Sequence, residues 1–482
     1  MLVSTALLRS RAVPCLAAKG DRRSLSSEDA PNLSWATQGG VSLATRLGLG
    51  YAMPMPVAIS ILLLLAALVS GAAAEMLDQT TAAAHAELLS PEILAHYTAG
   101  EYRNAIASWP RNQSWEHAFA DASVRNAARL TVNAAGTIVE KEGGAIAKGL
   151  YGLPFRIDPA DPQAGAKVIW NAYYALWRVA STHDVLTLDW IGTKGLERQA
   201  LLESHMLYYE GVPAARAPKE NPRDLAAQQR ALVMSPADLN GTATLTWRFR
   251  AADQRDQSWT YVPALRRVRQ VSPVNRSDGF LGSDLSQDDG AFFDGKPEDF
   301  TWKLIGERDA LVLADPASLA GTAVRKGRPD GGYEETWAAG QKILGYQDAE
   351  WKGLPWAPRA PVLVRRSLWI VEATPTDPYY FFKKIELGID KETFQGALSR
   401  KFDGRGRLVR SLQFLMYASW PIEAGGEQLI TPASSMGLVL AENGEQRRAT
   451  AAGVSPPSTS VHERRVPLDP SLFLLDRLSA GK

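Results

Sequence analysis

The segment KKIELGIDKETFQGALSRKFDGRGRLVRSLQFLMYASW, residues 383–420, decides the fold. Ile385, Leu387 and Ile389 alternate with other residues, the period-2 pattern of a strand with one buried face. Asp390-Lys391-Glu392 makes a turn, and a second strand ends at Phe402. Asp403-Gly404-Arg405-Gly406 is a hairpin signal leading into a third run from Leu408. Three consecutive strands joined by short turns make a meander, not a βαβ series.

The same texture extends upstream to about Thr182. TLTWRFR (residues 244–250) sets Leu245, Trp247 and Phe249 on one face. After the polar turn AADQRDQ, Ser258 to Val262 continues with Trp259 and Tyr261. Before Thr182 the pattern is helical. Ser90-Pro91 reads as an N-cap with Pro at the first helical position. SWEHAFADASVRNAARLTVNAAGTI, from Ser114, reads as one long Ala-rich helix. A further helix spans Ala164 to Val179, where Trp170, Tyr173, Tyr174 and Trp177 recur at spacings of three and four and predict core packing. Pro213–Asp238, rich in Pro, Ala and Arg, reads as a long loop, and the tail from Ala451 reads as loop or a loosely docked segment. The expected class is α+β: residues 75–180 helical, residues 181–450 a large antiparallel sheet, residues 451–482 a tail.

Composition narrows the function. Of 482 residues 45% are hydrophobic and 22% charged, and 53 Lys and Arg balance 52 Asp and Glu. This is a chain that buries a sizeable core and lacks the basic excess of a nucleic-acid binder. One cysteine, Cys15, excludes a disulfide scaffold or a cysteine-based metal site. Residues 57–69 are almost purely apolar and are followed by Ala72-Ala73-Ala74, the pattern of a signal peptide cleaved after Ala74, with an uncleaved anchor the alternative. The leader 1–52 is Arg- and Ser-rich, so a transit peptide is also compatible, as is a true start at Met53 or Met55. Cleavage removes six basic and three acidic residues, leaving 47 and 49, and removes the cysteine, which suits an oxidising compartment.

Catalytic signals are missing. The six histidines (His85, His96, His117, His183, His205, His462) form no H-x-H or H-E-x-x-H pattern, and no nucleophile elbow occurs. The reading is a non-enzyme with no metal or cofactor. The basic run PALRRVR (residues 263–269), carrying Arg266, Arg267 and Arg269, is either a docking site or an edge strand protected by charge. The acidic run GSDLSQDD (residues 282–289) lacks calcium-loop spacing and is either a solvated loop or a partner for nearby arginines. Strand aromatics including Trp247, Trp259, Trp302, Trp337, Trp369 and Trp420 either line an apolar cavity or fill a sandwich core.

As a set, WTYVPALRRVRQ (259–270), GSDLSQDD (282–289), WKLIGERDALV (302–312) and RSLWIVEATPTDPYYFFKKIELGID (366–390) resemble the periplasmic family known as domain of unknown function 1329. GLPFRI (152–157) and IWNAYYALWR (169–178) resemble its upstream block. That family is related in fold to the carriers that move lipoproteins across the Gram-negative periplasm. The resemblance implies a strongly curved, unclosed half-barrel capped by helices, with an apolar concave face. It implies a soluble periplasmic carrier of a hydrophobic ligand (lipid, lipoprotein or apolar small molecule). The expected ligand contacts are Trp247, Phe249, Trp259, Tyr261, Trp302 and Trp369. A transporter of the resistance–nodulation–division class in the inner membrane and an outer-membrane protein are the implied partners. The alternative is a non-carrier periplasmic adaptor of such a transporter, docking through Arg266, Arg267 and Arg269. This chain departs from the family in its leader, its Ala-rich start and its insertion after Gly211.

Overall fold

The computed structural model describes residues 75–109, 114–290, 292–319, 324–336, 342–416, 420–424, 427–431, 437–453 and 461–479. Residues 57–74, expected to be a signal peptide, lie outside these residues, as do Cys15 and Trp337.

Six strands follow one another as a meander: β1 (Ser181–Gly192), β2 (Gly195–Tyr208), β3 (Leu225–Ser235), β4 (Ala243–Phe249), β5 (Gln257–Val262) and β6 (Arg267–Val271). Each pairs antiparallel with the next. The second half comprises β7 (Phe300–Ala314), β8 (Val362–Pro375), β9 (Lys384–Asp390), β10 (Gly396–Phe402), β11 (Leu408–Phe414), β12 (Val439–Asn443) and β13 (Arg448–Ala452), again paired in order. β13 joins the halves by pairing Ala449–Ala452 with Leu188–Ile191 of β1, and β14 (Val461–Arg464) continues along Thr182–Val185 of the same strand. With short flanking strands the sheet has 18 described strands. It is curved and not closed, with β6 and β7 at the two ends of this order.

The meander read from residues 383–420 is present as β9, β10 and β11, and Gly406 at the hairpin has φ +74°. Three expectations change. The Ala-rich helix stops at Arg129, because Leu130–Val132 leaves to pair with Ile138–Glu140. Met76–Leu77 and Asn104–Ala107, within the expected helical region, are strands, the latter running parallel to β8. Leu225–Ser235, expected as loop, is a full strand. Its sequence LAAQQRALVMS has few β-branched residues, so local propensity is weak and pairing on both sides decides. The tail contributes β14 and then docks through Phe473 and Leu478, which are fully buried.

Three helices matter for the site: α1 (Pro91–Thr98), α2 (His117–Arg129) and α3 (Ala164–Trp177). The Ser90-Pro91 start is present at α1, without a side-chain cap bond. Helix α3 is apolar almost all round, as an element buried on every side must be. Its first turn lies on the β7 backbone at Gly165, where a Cβ would meet the Leu304 nitrogen at 2.8 Å. The face of the sheet carrying α3 is called inner here. Among the described residues no helix is long and apolar enough to cross a membrane.

The outer face is also covered. The segment 76–102 and residues 343–357 pack Leu77, Tyr97, Tyr102 and Trp356 over Leu311, Leu363, Leu440 and Ala449. This explains why β12 is buried at every position. On α1, His96 sits between Glu101 Oε2 and Glu442 Oε2, each at 2.7 Å. Burial works against its charge, but the two carboxylates, Glu442 foremost, outweigh that and raise its pKa to about 9. The unfolded value is about 6.5, so the folded state binds this proton more tightly. The stabilisation is therefore full below about pH 6.5 and is lost as pH rises through 9. Thermal unfolding at pH 6 and pH 9.5 should show this loss, roughly 2–3 kcal/mol, and His96→Gln should flatten it; equal pH dependence in the variant contradicts the assignment.

Candidate functional site

The inner face is occupied by α3 and by the connection between β6 and β7, residues 272–299, here called the inner loop. From α3, Trp177 stacks on Tyr208 of β2 with ring centroids 5.9 Å apart, and Tyr173 meets Trp177 edge-on at 5.1 Å. Asn171 accepts a bond from the Phe155 amide at 3.0 Å and donates to the Phe155 carbonyl at 2.8 Å, which fixes the GLPFRI stretch against the helix. These rings form one cluster with Leu186, Leu202, Met206, Val371, Leu387 and Leu412 from both meanders. The expected core role of the aromatic stripe is thus realised.

The inner loop carries the acidic run, and that run is buried and paired. Arg276 donates to Asp288 Oδ1 at 2.6 Å and to Asp294 Oδ2 at 3.3 Å. Arg248 of β4 holds Asp256 at 2.9 Å and Asp294 at 3.0 Å. Burial disfavours the Arg248 charge, yet Asp256 and Asp294 hold its pKa well above the ordinary guanidinium range. Asp284 accepts from Arg448 Nε at 3.0 Å and Asn443 at 2.9 Å, and Asp289 pairs with Lys401. Tyr380 donates to Asp288 Oδ2 at 2.7 Å. Of the two sequence readings of GSDLSQDD, pairing with arginines is the one present.

Two cavities flank the loop. One, of about 120 Å³, lies between the loop and the inner faces of β1–β4. Leu186, Leu188, Leu202, Leu285, Val439 and Ala452 give it an apolar floor, and Gln229, Thr244 and Thr246 give one wall hydrogen-bonding groups. The other, of about 90 Å³, is lined by Tyr173, Trp177, Met206, Phe292, Phe394 and Phe414. Val439 lines both, so they are neighbours. Each has the size that holds a benzene-like group, well under the roughly 300–1,000 Å³ of drug-sized ligand sites. An acyl chain would fit only if the inner loop moved.

The expected ligand contacts divide between the two faces. Trp302 and Trp369 belong to the inner core, Trp302 against Phe293 at 5.2 Å and bonded to the Pro297 carbonyl at 2.8 Å. They line neither of these two cavities. Trp247, Phe249, Trp259 and Tyr261 are placed elsewhere, in an outer-face cluster beneath Phe473 and Leu478. Trp247 Nε1 donates to the Phe473 carbonyl at 2.9 Å. The strand pleat accounts for this: in β4 it is Thr244 and Thr246 that point into the cavity, so Leu245 and Trp247 point out. Trp420 lies on a strand, Trp420–Ala424. Sequence reasoning missed Met206, Leu285, Phe292, Phe394 and Phe414; only the apolar pairs within the otherwise polar GAFFDG run hinted at Phe292.

Arg266, Arg267 and Arg269 are exposed at the start of β6, which pairs among the described residues only with β5. Leu265 beside them is 50% exposed. This is an accessible basic edge, compatible with both sequence readings of that run.

Comparison with known proteins gives the following. An uncharacterized protein of Pseudomonas aeruginosa is 24% identical over 301 residues, a match spanning 60% of this chain and only 58% of that protein. The crystal structure of a DUF1329 family protein from Desulfovibrio piger is 16% identical, with a TM-score of 0.42, covering 67% of this chain and 99% of that one. A domain from Vibrio parahaemolyticus, described as outer membrane lipoprotein-sorting, is 14% identical with a TM-score of 0.42, covering 66% and 100%. The family model for proteins of unknown function DUF1329 matches residues 76–436, three quarters of the sequence, and the chain belongs to that family.

Proposed function

We propose that this protein is a periplasmic carrier that shelters a hydrophobic ligand on the inner face of its open sheet, beneath the inner loop. The observation that carries the reading is the way that face is covered. The inner loop, bolted by ion pairs, lies beside α3 over an apolar floor and leaves two cavities next to it that the side chains do not fill. The ligand is a lipid, the acyl part of a lipoprotein or an apolar small molecule. Burial of its apolar surface supplies affinity at roughly 25 cal/mol per Å², reduced by the cost of association and of lifting the loop.

Native mass spectrometry of gently purified protein, followed by titration of the delipidated protein with a fluorescent fatty acid, tests this. Saturable binding is expected, and Ala231→Phe, which fills the larger cavity, should weaken it about tenfold or more with circular dichroism unchanged. Absence of both cargo and saturable binding sinks the proposal.

The exposed basic edge favours a second reading, an adaptor that docks on the periplasmic part of an inner-membrane transporter. Replacing Arg266, Arg267 and Arg269 together by Glu should then abolish capture of the transporter while ligand binding by the delipidated protein persists.

A further inference from the structure

The outer face of the β1–β2 hairpin carries a side-chain cluster that the carrier reading does not use. His183 and His205 are direct cross-strand partners. Their rings are stacked, 4.5 Å between centroids and 7° from parallel. Glu203, two residues from His205 on the same face, places Oε1 3.1 Å from His183 Nε2. Glu463 of β14, opposite His183 on the other side, places Oε2 2.7 Å from His183 Nδ1.

One imidazole thus faces a carboxylate oxygen at each nitrogen. A neutral ring has a single N–H and can satisfy only one of them. If Nδ1–H donates to Glu463, the Nε2 lone pair points at the Glu203 carboxylate, and only a cation between them makes that arrangement favourable. An extra ring proton is one such cation; a metal ion is the other. His205 favours the metal: its Nδ1 is shielded from solvent and has no hydrogen-bond partner among the described residues. One ligand atom each from His183, Glu203 and His205 can be chosen so that all lie within 4.8 Å of one another. Zinc bonds of 2.0–2.1 Å need donors about 3.3 Å apart, a contraction within reach of side-chain rotation on adjacent strands.

We propose that His183, His205 and Glu203 bind one divalent transition-metal ion of the zinc or copper type. Glu463 acts as a positioning residue, fixing the His183 tautomer through Nδ1 in the manner of carboxylate–histidine–metal triads. Two imidazoles with one carboxylate suit zinc and copper rather than magnesium or calcium. Arg230, opposite His205 on β3, and Arg328, paired with Glu463, bring positive charge nearby, which further disfavours ions held by charge alone. Through Glu463 the ion ties β14 to the hairpin.

The test uses the full exported chain, purified without a polyhistidine tag and stripped with a chelator. Zn²⁺ and Cu²⁺ are titrated calorimetrically, and the Cu²⁺ form is examined by electron paramagnetic resonance. One ion per chain and superhyperfine splitting from two nitrogens are expected. His205→Gln should reduce the splitting to one nitrogen, and Glu463→Gln should weaken binding about tenfold or more. No saturable binding, or binding that survives the His183→Gln/His205→Gln double variant, overturns the proposal. Should the double variant not fold, the nitrogen count on the unmutated chain decides: fewer than two rejects the site.

Discussion

Replacing Arg248 by alanine is expected to destabilise the protein by about 3–5 kcal/mol. Its side chain is 6% exposed and holds Asp256, 2% exposed, through Nε at 3.0 Å and a terminal nitrogen at 2.9 Å. It also bonds Asp294 at 3.0 Å and lies 5.6 Å over the Tyr173 ring. Truncation leaves Asp256 without its guanidinium in a sheltered site and leaves Asp294 with Arg276 alone. The cost is chiefly the stranded charge, so Arg248→Met should be nearly as harmful as Arg248→Ala. Urea unfolding measures the loss, and a change below about 1 kcal/mol contradicts the account, because that is the range of an exposed pair. The carrier reading adds a second expectation: loosening the inner loop should increase uptake of a hydrophobic dye under conditions where the variant remains folded.

Phe473→Ala should cost a similar amount, about 3–5 kcal/mol, the range for deleting a fully buried aromatic ring. Phe473 is 0% exposed and closes the outer cluster of Trp247, Trp259, Leu207 and Leu245. Its carbonyl also holds the Trp247 indole. Loss of the ring should free the C-terminal segment and expose both tryptophans, shifting their emission to longer wavelength before the cooperative transition. An unshifted emission spectrum in a destabilised variant would show that the segment stays docked.

Much of the sheet was legible because its strands carry period-2 patterning and clear turn chemistry. KIELGID and TLTWRF fall on strands, and DGRG turns the chain between two of them. Periodicity sorts residues into two sets but does not say which set faces inward. In β4 the inner set is Thr244 and Thr246, and the bulky set meets a C-terminal segment more than 200 residues away, as the Trp247–Phe473 bond shows. Strand β3 was hidden because Ala, Gln and Arg advertise no sheet preference. The buried acidic run was ambiguous for a related reason: of its counter-charges only Arg276 is near in sequence, while Lys401, Arg410 and Arg448 come from distant strands. The His183–His205 pairing was concealed only by ignorance of the hairpin register; once Gly192 faces Gly195, one bulge brings the two rings opposite each other.

The inner loop reaches both halves of the sheet at once: β4 through Arg248, β10 through Lys401 and β13 through Arg448. It therefore works as a tie-rod across an arch. The two limbs cannot splay about the seam between β1 and β13 while that rod is fastened, and unfastening it means exposing several ions together. Widening of the arch consequently requires these ion pairs to break together, a discrete step and not a gradual breathing.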